Sequence, residues 1–244
     1  MRDGGWAAAA GARALAFVDV LPVDGDPCRI DGPDGHHLQR VRRLGVDETV
    51  VLADGDGQWV STRIVAVGNG ALSVVATGDR CTEPVRTPEL TVAFAPAKAD
   101  HGTEVTHQLV ELGVDRIVPL RTERAVVRWD GERGAKHLER LRRVTREAAM
   151  QCHRAAIPEV ASPATPAELA GRPGLVVADP GGAPVTLTSL PDGDAWLVLV
   201  GPEGGFAPGE LDALGGHPRI AIGPHVLRAV TAPAAVAAAV AALR

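Results

Sequence analysis

The sequence predicts an α/β protein in two parts, a small β-barrel followed by a parallel sheet with helices on both of its faces. Two observations lead to this fold class. Residues 15–78 consist of short apolar segments punctuated by turns, whereas from residue 90 apolar strands alternate with helical patterns. Strands that alternate with helices form parallel sheets, because the crossover helix returns the chain to the starting edge of the next strand.

The first part contains the strand-like segments LAFVDV, PCRIDG, TVVLADGDGQWVSTRIVAV and ALSVVAT. The longest of them is interrupted at residues 54–57 by a turn typical of a β-hairpin. Residues 35–48 have a helical pattern. It points three apolar residues inward and three arginines outward: Leu38, Val41 and Leu44, and Arg40, Arg42 and Arg43. We therefore predict a barrel domain over residues 1–82, a proline-containing linker, and a second domain over residues 88–244.

The second part is predicted to contain the strands LTVAFAPA, DRIVPL, LVVADPGG, AWLVLVGPEGG and RIAIGP. Helices are predicted over residues 102–112 and 133–153, from Pro208, and from Thr231. Three of the strands run into Pro/Gly turns, at residues 179–182, 201–205 and 223–224. Ligands of parallel α/β sheets bind beyond the carboxyl ends of the strands, so these turns are predicted to converge on a ligand.

The turn GPEGG, residues 201–205, excludes the usual ligands of a glycine-rich turn. A phosphate-binding P-loop closes with Lys and Ser or Thr, whereas this turn is followed by Phe206, Ala207 and Pro208. The glycine spacing is not G-x-G-x-x-G, which argues against a dinucleotide. Glu203 would repel a phosphate, so the turn favours a neutral or cationic ligand that meets backbone groups. The alternative is a tight strand-to-helix turn without a ligand.

The distribution of charge and of cysteine limits the function further. The net charge is −5, yet Lys and Arg outnumber Asp and Glu from Arg116 to Arg146. This basic segment either contacts RNA phosphates or forms a solvated helix face. The three cysteines lack C-x-x-C spacing, which predicts no metal site. No stretch has the roughly 20 apolar residues of a membrane span, so we expect a cytoplasmic protein without a membrane partner.

Four segments together resemble a known family: HHLQRVRRLGVDETVVLADGDG, VELGVDRIVPL, LVGPEGGFAPGEL and IGPHVLRAVTA. They are similar to the ribosomal RNA small subunit methyltransferase E family, of the SPOUT class of knotted methyltransferases. The resemblance implies a PUA-like barrel that binds RNA, and an α/β domain with a C-terminal trefoil knot. It also implies S-adenosylmethionine as the methyl donor, a homodimer, and methylation at N3 of one uridine in the 16S rRNA of the small (30S) ribosomal subunit.

The resemblance also implies roles for individual residues. Arg228 is expected to hold the target uracil or its charge, with Arg154 as the second candidate for a catalytic role. The expected RNA contacts are Arg40, Arg42, Arg43, Lys98, Arg143 and Arg146. The expected cofactor pocket consists of Asp179, Pro180, Val200, Gly201, Pro202, Glu203, Gly204, Gly205, Ile222, Gly223, Val226 and Leu227.

The sequence departs from the family pattern around the expected target-base site. Ala229 and Val230 replace polar residues, Met150 replaces a Glu, and Gln108 replaces a Lys. Two alternatives follow: a relative that modifies another RNA or a small molecule, or a noncatalytic RNA-binding protein. The latter predicts RNA binding with steep salt dependence and no cofactor affinity.

Overall fold

The computed structural model describes residues 11–96 and 99–244, which fold as two compact units. The first unit ends at Val85 and also includes Ala149–Ile157. The second unit comprises Arg86–Ala148 and Pro158–Arg244. None of the helices in the described ranges combines the length and the apolar character that a membrane span requires.

The first unit is built on a mostly antiparallel six-stranded sheet. Its strands are β1 (Ala14–Phe17), β2 (Pro27–Ile30), β3 (Thr49–Ala53), β4 (Gln58–Gly68), β5 (Ala71–Ala76) and β6 (Cys81–Thr82). They are ordered β1-β3-β4-β5-β2, with β6 paired to β4 and only β1–β3 parallel. Alternate side chains fill one core, for example Val50 and Leu52 of β3 with Leu72 and Val74 of β5.

The helix predicted over residues 35–48 is shorter than expected. The chain forms α1 (Gly32–His36) and one π-helical segment, His37–Val41, and then leaves the helix. Leu38 and Leu44 are buried as predicted, but Val41 is 63% exposed, so its predicted inward position is wrong. The π-helical register explains the difference, because a wider turn rotates Val41 away from the face that carries Leu38.

The second unit contains a parallel sheet of six strands. They are β7 (Glu89–Phe94), β8 (Arg116–Pro119), β9 (Glu159–Val160), β10 (Leu175–Pro184), β11 (Ala195–Val200) and β12 (Arg219–Ala221). The order is β12-β10-β11-β7-β8-β9, and every pairing is parallel. This confirms the predicted α/β class with a parallel sheet. The central strands are continuous apolar runs, as expected for strands buried on both faces.

Five helices accompany this sheet in the described ranges. They are α2 (Ala99–Glu111), α3 (Gly131–Gln151), α4 (Pro166–Leu169), α5 (Pro208–Ala213) and α6 (Ala232–Ala241), with a 3₁₀ turn at Leu187–Ser189. Helix α4, which the sequence analysis missed, begins with a capping box between Thr165 and Glu168. Helix α6 is apolar throughout and buries Val236, Ala237 and Val240, while Ala238 stays exposed.

The turn predicted at residues 179–182 is instead a bulge inside β10. The strand pairs with β12 through Ala178 and again through Ala183, both opposite Ile220. The four intervening residues are therefore extra to the ladder and bend outward. Gly182 is required at this point, since a Cβ there would lie 2.6 Å from the carbonyl carbon of Arg219.

Candidate functional site

A pocket of about 360 Å³ opens at the carboxyl ends of β10, β11 and β12. Three segments form its walls: the β10 bulge, the GPEGG turn after β11, and the loop of residues 222–231 between β12 and α6. Adjacent parallel strands end at the same edge of a sheet, which is why segments distant in sequence meet here. The three predicted Pro/Gly segments do converge on one cavity.

The GPEGG turn supplies the first wall. Gly205 has φ +66°, a left-handed conformation suited to glycine, and its N–H donates to the carbonyl of Pro202 at 2.8 Å. The ring of Phe206 folds back beneath Gly201, where an added Cβ would lie 3.1 Å from Cε2. Glu203 is exposed and borders the pocket. The turn is therefore a fixed shape with a carboxylate at its rim.

The β10 bulge supplies the second wall. The two carboxylate oxygens of Asp179 have different partners: Oδ1 accepts from the N–H of Gly181 at 2.8 Å, and Oδ2 lies 2.6 Å from Nη1 of Arg219. Asp179 and Arg219 both line the pocket. Because this pair is mutually neutralised, Glu203 carries the pocket's uncompensated negative charge, and His225 is the one further titratable side chain among the described lining residues.

The loop of residues 222–231 supplies the third wall. Ile222, Gly223, Val226 and Leu227 line the pocket, and Ala229 is buried against it. Arg228 is exposed and does not line the pocket, but it lies between two residues that do. Its carbonyl accepts from the N–H groups of Thr231 and Ala232 at 2.9 and 2.8 Å, which fixes the loop where α6 begins.

Every residue of the predicted cofactor set except Gly204 lines this pocket. Gly204 faces Arg124 instead, whose Cβ and Cδ would lie 3.5 Å from an added Cβ. Phe206, Leu211 and Arg219 also line the pocket but were not predicted from the sequence, nor was the contact from Arg124. Arg219 could have been predicted as a pocket residue, because it begins the strand that leads into the predicted turn at residues 223–224.

The predicted RNA-contacting residues are divided between the two units. Arg40, Arg42 and Arg43 are exposed in the first unit, and Arg143 is exposed in the second. Arg146 is half-buried on α3. Lys98 lies outside the described residues.

Arg154 belongs to the first unit, at the end of the segment that follows α3. Its backbone N–H donates to the carbonyl of Ala149 at 2.8 Å. The neighbouring His153 adopts φ +61°. Burial, assisted by the positive charge of Arg42, lowers the pKa of His153 below its ordinary value. The folded unit thus favours a neutral imidazole beside these arginines.

Across residues 11–96 and 99–244, no group of three or more His, Cys, Asp or Glu side chains is arranged to hold a metal ion. Cys28, Cys81 and Cys152 are free thiols.

Both parts of the chain are similar to known protein domains. Residues 85–241 match the model of an RNA methyltransferase domain, and residues 30–77 match that of an RNA methyltransferase PUA domain. The ribosomal RNA small subunit methyltransferase E of Mycobacterium tuberculosis is 34% identical over 231 residues, covering 90% of this chain and 88% of the relative. The protein of the same name from Bacillus subtilis is 26% identical, covering 84% of this chain and 85% of the relative.

A solved structure agrees in fold over nearly the whole length. The ribosomal RNA small subunit methyltransferase E from Neisseria gonorrhoeae, bound to S-adenosyl methionine, has a TM-score of 0.81 and 25% identity. The match covers 94% of this chain and 97% of that one.

Proposed function

The chain belongs to the RNA methyltransferase family of the ribosomal RNA small subunit methyltransferase E type, and on this premise we propose that it methylates N3 of a uridine in small-subunit rRNA. Membership makes it an S-adenosylmethionine-dependent rRNA methyltransferase, as the sequence motifs indicated. The position on the base and the roles of individual residues are the proposed part.

The pocket at the ends of β10, β11 and β12 is the observation that carries the proposal. Its walls are mainly apolar side chains and glycine backbone, and Arg219, the one arginine among the described lining residues, is neutralised by Asp179. Such a lining suits a molecule that has an adenine ring and a sulfonium cation but no phosphate. Glu203 adds a negative charge at the rim, which favours a cationic ligand.

When bound, S-adenosylmethionine supplies an electrophilic methyl group whose bond to the sulfonium sulfur breaks as the bond to uracil N3 forms. The residues of this chain have to position the uracil and stabilise the anion left by loss of the N3 proton. We assign this task to Arg228, whose loop forms one wall of the pocket. A guanidinium is suited to it, because it remains charged and offers several donors in one plane.

The remaining arginines are proposed to bind the rRNA. Arg40, Arg42 and Arg43 form an exposed basic group on the first unit, and Arg143 and Arg146 lie on α3 of the second. Lys98 is assigned the same role from the sequence. Arg154 is the second candidate for contact with the target base. Contacts to phosphates give affinity that falls with salt, and they position the RNA without reading its sequence.

The family fold adds further proposals. We propose a PUA-like barrel domain over residues 1–82 and a SPOUT domain with a trefoil knot over residues 88–244; the compact unit that contains the first of these also includes Ala149–Ile157. The enzyme acts as a cytoplasmic homodimer on the 30S subunit or its rRNA. Helix α6 is apolar throughout, and its exposed Ala238 would be covered by a second subunit in the proposed dimer. Sedimentation of diluted protein should then show no monomer.

One observation favours an altered acceptor as the second candidate function. Ala229 is buried against the pocket, so the polar side chain common in the family is lost at a position that shapes the site. Met150, by contrast, packs against the core cluster of Leu15, Val51 and Ala155, which gives its change a structural explanation. An altered acceptor would leave the cofactor pocket intact.

Calorimetric titration with S-adenosylmethionine tests the pocket before any acceptor is chosen. Binding in the micromolar range, abolished by Gly201→Trp, supports the proposal. The indole would collide with Phe206 and fill the turn. Absence of binding to the wild type would contradict it and would favour a noncatalytic RNA-binding role.

A further inference from the structure

Arg124 is attached to the GPEGG turn from outside the pocket. It lies in the segment between β8 and α3, and its Nη1 donates to the carbonyl oxygens of Gly204 at 2.8 Å and Phe206 at 3.2 Å. Arg124 itself does not line the pocket. A charged donor shared by two carbonyls fixes both of them in one place, since bonds to an ionised group are stronger than those between neutral groups.

Glu210 links the same two segments through the neighbouring residues Glu123 and Ala207. Its Oε2 accepts from the N–H of Ala207 at 2.8 Å, which caps the start of α5. Its Oε1 accepts from the N–H of Glu123 at 2.9 Å. Arg124 is therefore bonded directly to Gly204 and Phe206, and Glu123 is joined to Ala207 through the Glu210 carboxylate, although the two segments lie about 80 residues apart in the chain.

The packing places the turn between two supports. A Cβ added to Gly204 would lie 3.5 Å from Cβ and Cδ of Arg124, and a Cβ added to Gly201 would lie 3.1 Å from the ring of Phe206. The residues on either side of Gly204, Glu203 and Gly205, line the pocket, whereas Gly204 does not. Arg124 thus contacts the one residue of the turn that faces away from the ligand.

We propose that Arg124 is a positioning residue for cofactor binding, which holds the GPEGG turn in its ligand-competent shape. The inference rests on the proposed function of the pocket. A turn that is already ordered binds without the entropic cost of ordering, so the effect of Arg124 falls on affinity for S-adenosylmethionine rather than on the chemical step. Loss of the side chain frees two carbonyls and permits the turn to move.

The test compares variants of the full chain by calorimetry with S-adenosylmethionine and by methyl-transfer kinetics. Arg124→Ala is expected to raise the dissociation constant and KM for S-adenosylmethionine about tenfold, with kcat changed less than about twofold. Arg124→Lys retains the charge but not the fork, and should recover part of the affinity. Arg128→Ala is the control for cofactor affinity, because Arg128 is exposed in the same segment and should leave that affinity unchanged.

The outcomes separate this inference from the proposed function. Wild type that binds S-adenosylmethionine, with Arg124→Ala binding equally well, overturns the positioning role alone. Wild type that does not bind overturns both. A merely structural role of Arg124 predicts lower thermal stability of the ligand-free Arg124→Ala variant with an unchanged KM for S-adenosylmethionine. If Arg124→Ala does not fold, the same KM and stability measurements are made on Arg124→Lys.

Discussion

Asp179 and Arg219 form an ion pair at 2.6 Å on one wall of the pocket, and the same carboxylate accepts from the N–H of Gly181. The pair therefore closes the β10 bulge onto β12. Both side chains are partly exposed, at 29% and 41%, so solvent screens the ion pair. The pair therefore contributes more to the shape of the pocket wall than to the free energy of unfolding.

Asp179→Ala removes both contacts and should loosen the bulge. We expect the free energy of unfolding to fall by only about 1 kcal/mol, because the pair is solvent-screened. The affinity for S-adenosylmethionine should fall about tenfold, which corresponds to about 1.4 kcal/mol. Urea denaturation and calorimetry measure the two effects. Asp179→Asn keeps an acceptor for the N–H of Gly181 and should lose less affinity than Asp179→Ala. Equal affinity of wild type and Asp179→Ala for S-adenosylmethionine would refute the role of Asp179 in shaping the pocket.

Gly201 and Gly204 make a matched pair within the GPEGG turn. An added Cβ at Gly201 would lie 3.1–3.2 Å from the Phe206 ring, which must then move within the pocket wall. An added Cβ at Gly204 would make only ordinary contacts at 3.5 Å with Arg124. We therefore expect Gly201→Ala to weaken S-adenosylmethionine binding and Gly204→Ala to retain it. Titration of both variants decides this, and the reverse order of affinities would exclude the described packing of the turn.

Arg228→Ala should separate chemistry from cofactor binding. If Arg228 stabilises the uracil anion, kcat falls about 100-fold, while the dissociation constant for S-adenosylmethionine stays within about twofold. Single-turnover methyl transfer and calorimetry measure these quantities independently. Arg228→Lys keeps a positive charge, and its kcat should lie between those of wild type and Arg228→Ala. A large loss of cofactor affinity with unchanged kcat would instead assign Arg228 to the cofactor pocket.

His153 predicts a pH dependence of stability in the first unit. Folding lowers the pKa of His153, mainly through burial and to a lesser extent through the positive charge of Arg42. The unfolded chain therefore takes up this proton at a higher pH than the folded chain does. The contribution to stability is present above the unfolded pKa of about 6.5 and is lost as the pH falls through the folded pKa. His153→Asn, which tolerates the positive φ, should reduce this loss.

Urea unfolding of wild type and His153→Asn at pH 7.5 and 5.5 checks this dependence. The difference between the two proteins isolates one histidine from the other seven in the chain. Identical losses of stability on acidification would show that His153 makes no such contribution.

The sequence carried most of the information about the pocket, because its walls follow apolar strands and consist of Gly and Pro. Such turns are recognisable locally, and parallel strands bring their ends together. The contacts that Arg124 and Glu210 make between distant segments could not be predicted from the sequence. Their partners lie about 80 residues away, and a side chain that bonds a distant carbonyl leaves no periodic signal.

Two departures from prediction came from backbone irregularities. The π-helical segment at His37–Val41 turned Val41 outward, and the bulge in β10 placed residues 179–182 inside a strand. The Pro/Gly composition of residues 179–182 marks an irregularity but does not distinguish a turn from a bulge, because the bulge depends on pairing with β12, and the composition of His37–Val41 does not distinguish a π-helical from an α-helical turn. Binding of S-adenosylmethionine by the pocket residues stays a prediction that the variants above test, and RNA binding by the arginines stays a prediction.

The most direct test of the central claim is transfer of a labelled methyl group from S-adenosylmethionine to undermethylated small ribosomal subunits, followed by nucleoside analysis of the rRNA. We predict label in 3-methyluridine at a single site, lost with Arg228→Ala. Label in a different nucleoside or a different RNA, or no transfer despite cofactor binding, would contradict uridine-N3 methylation of small-subunit rRNA.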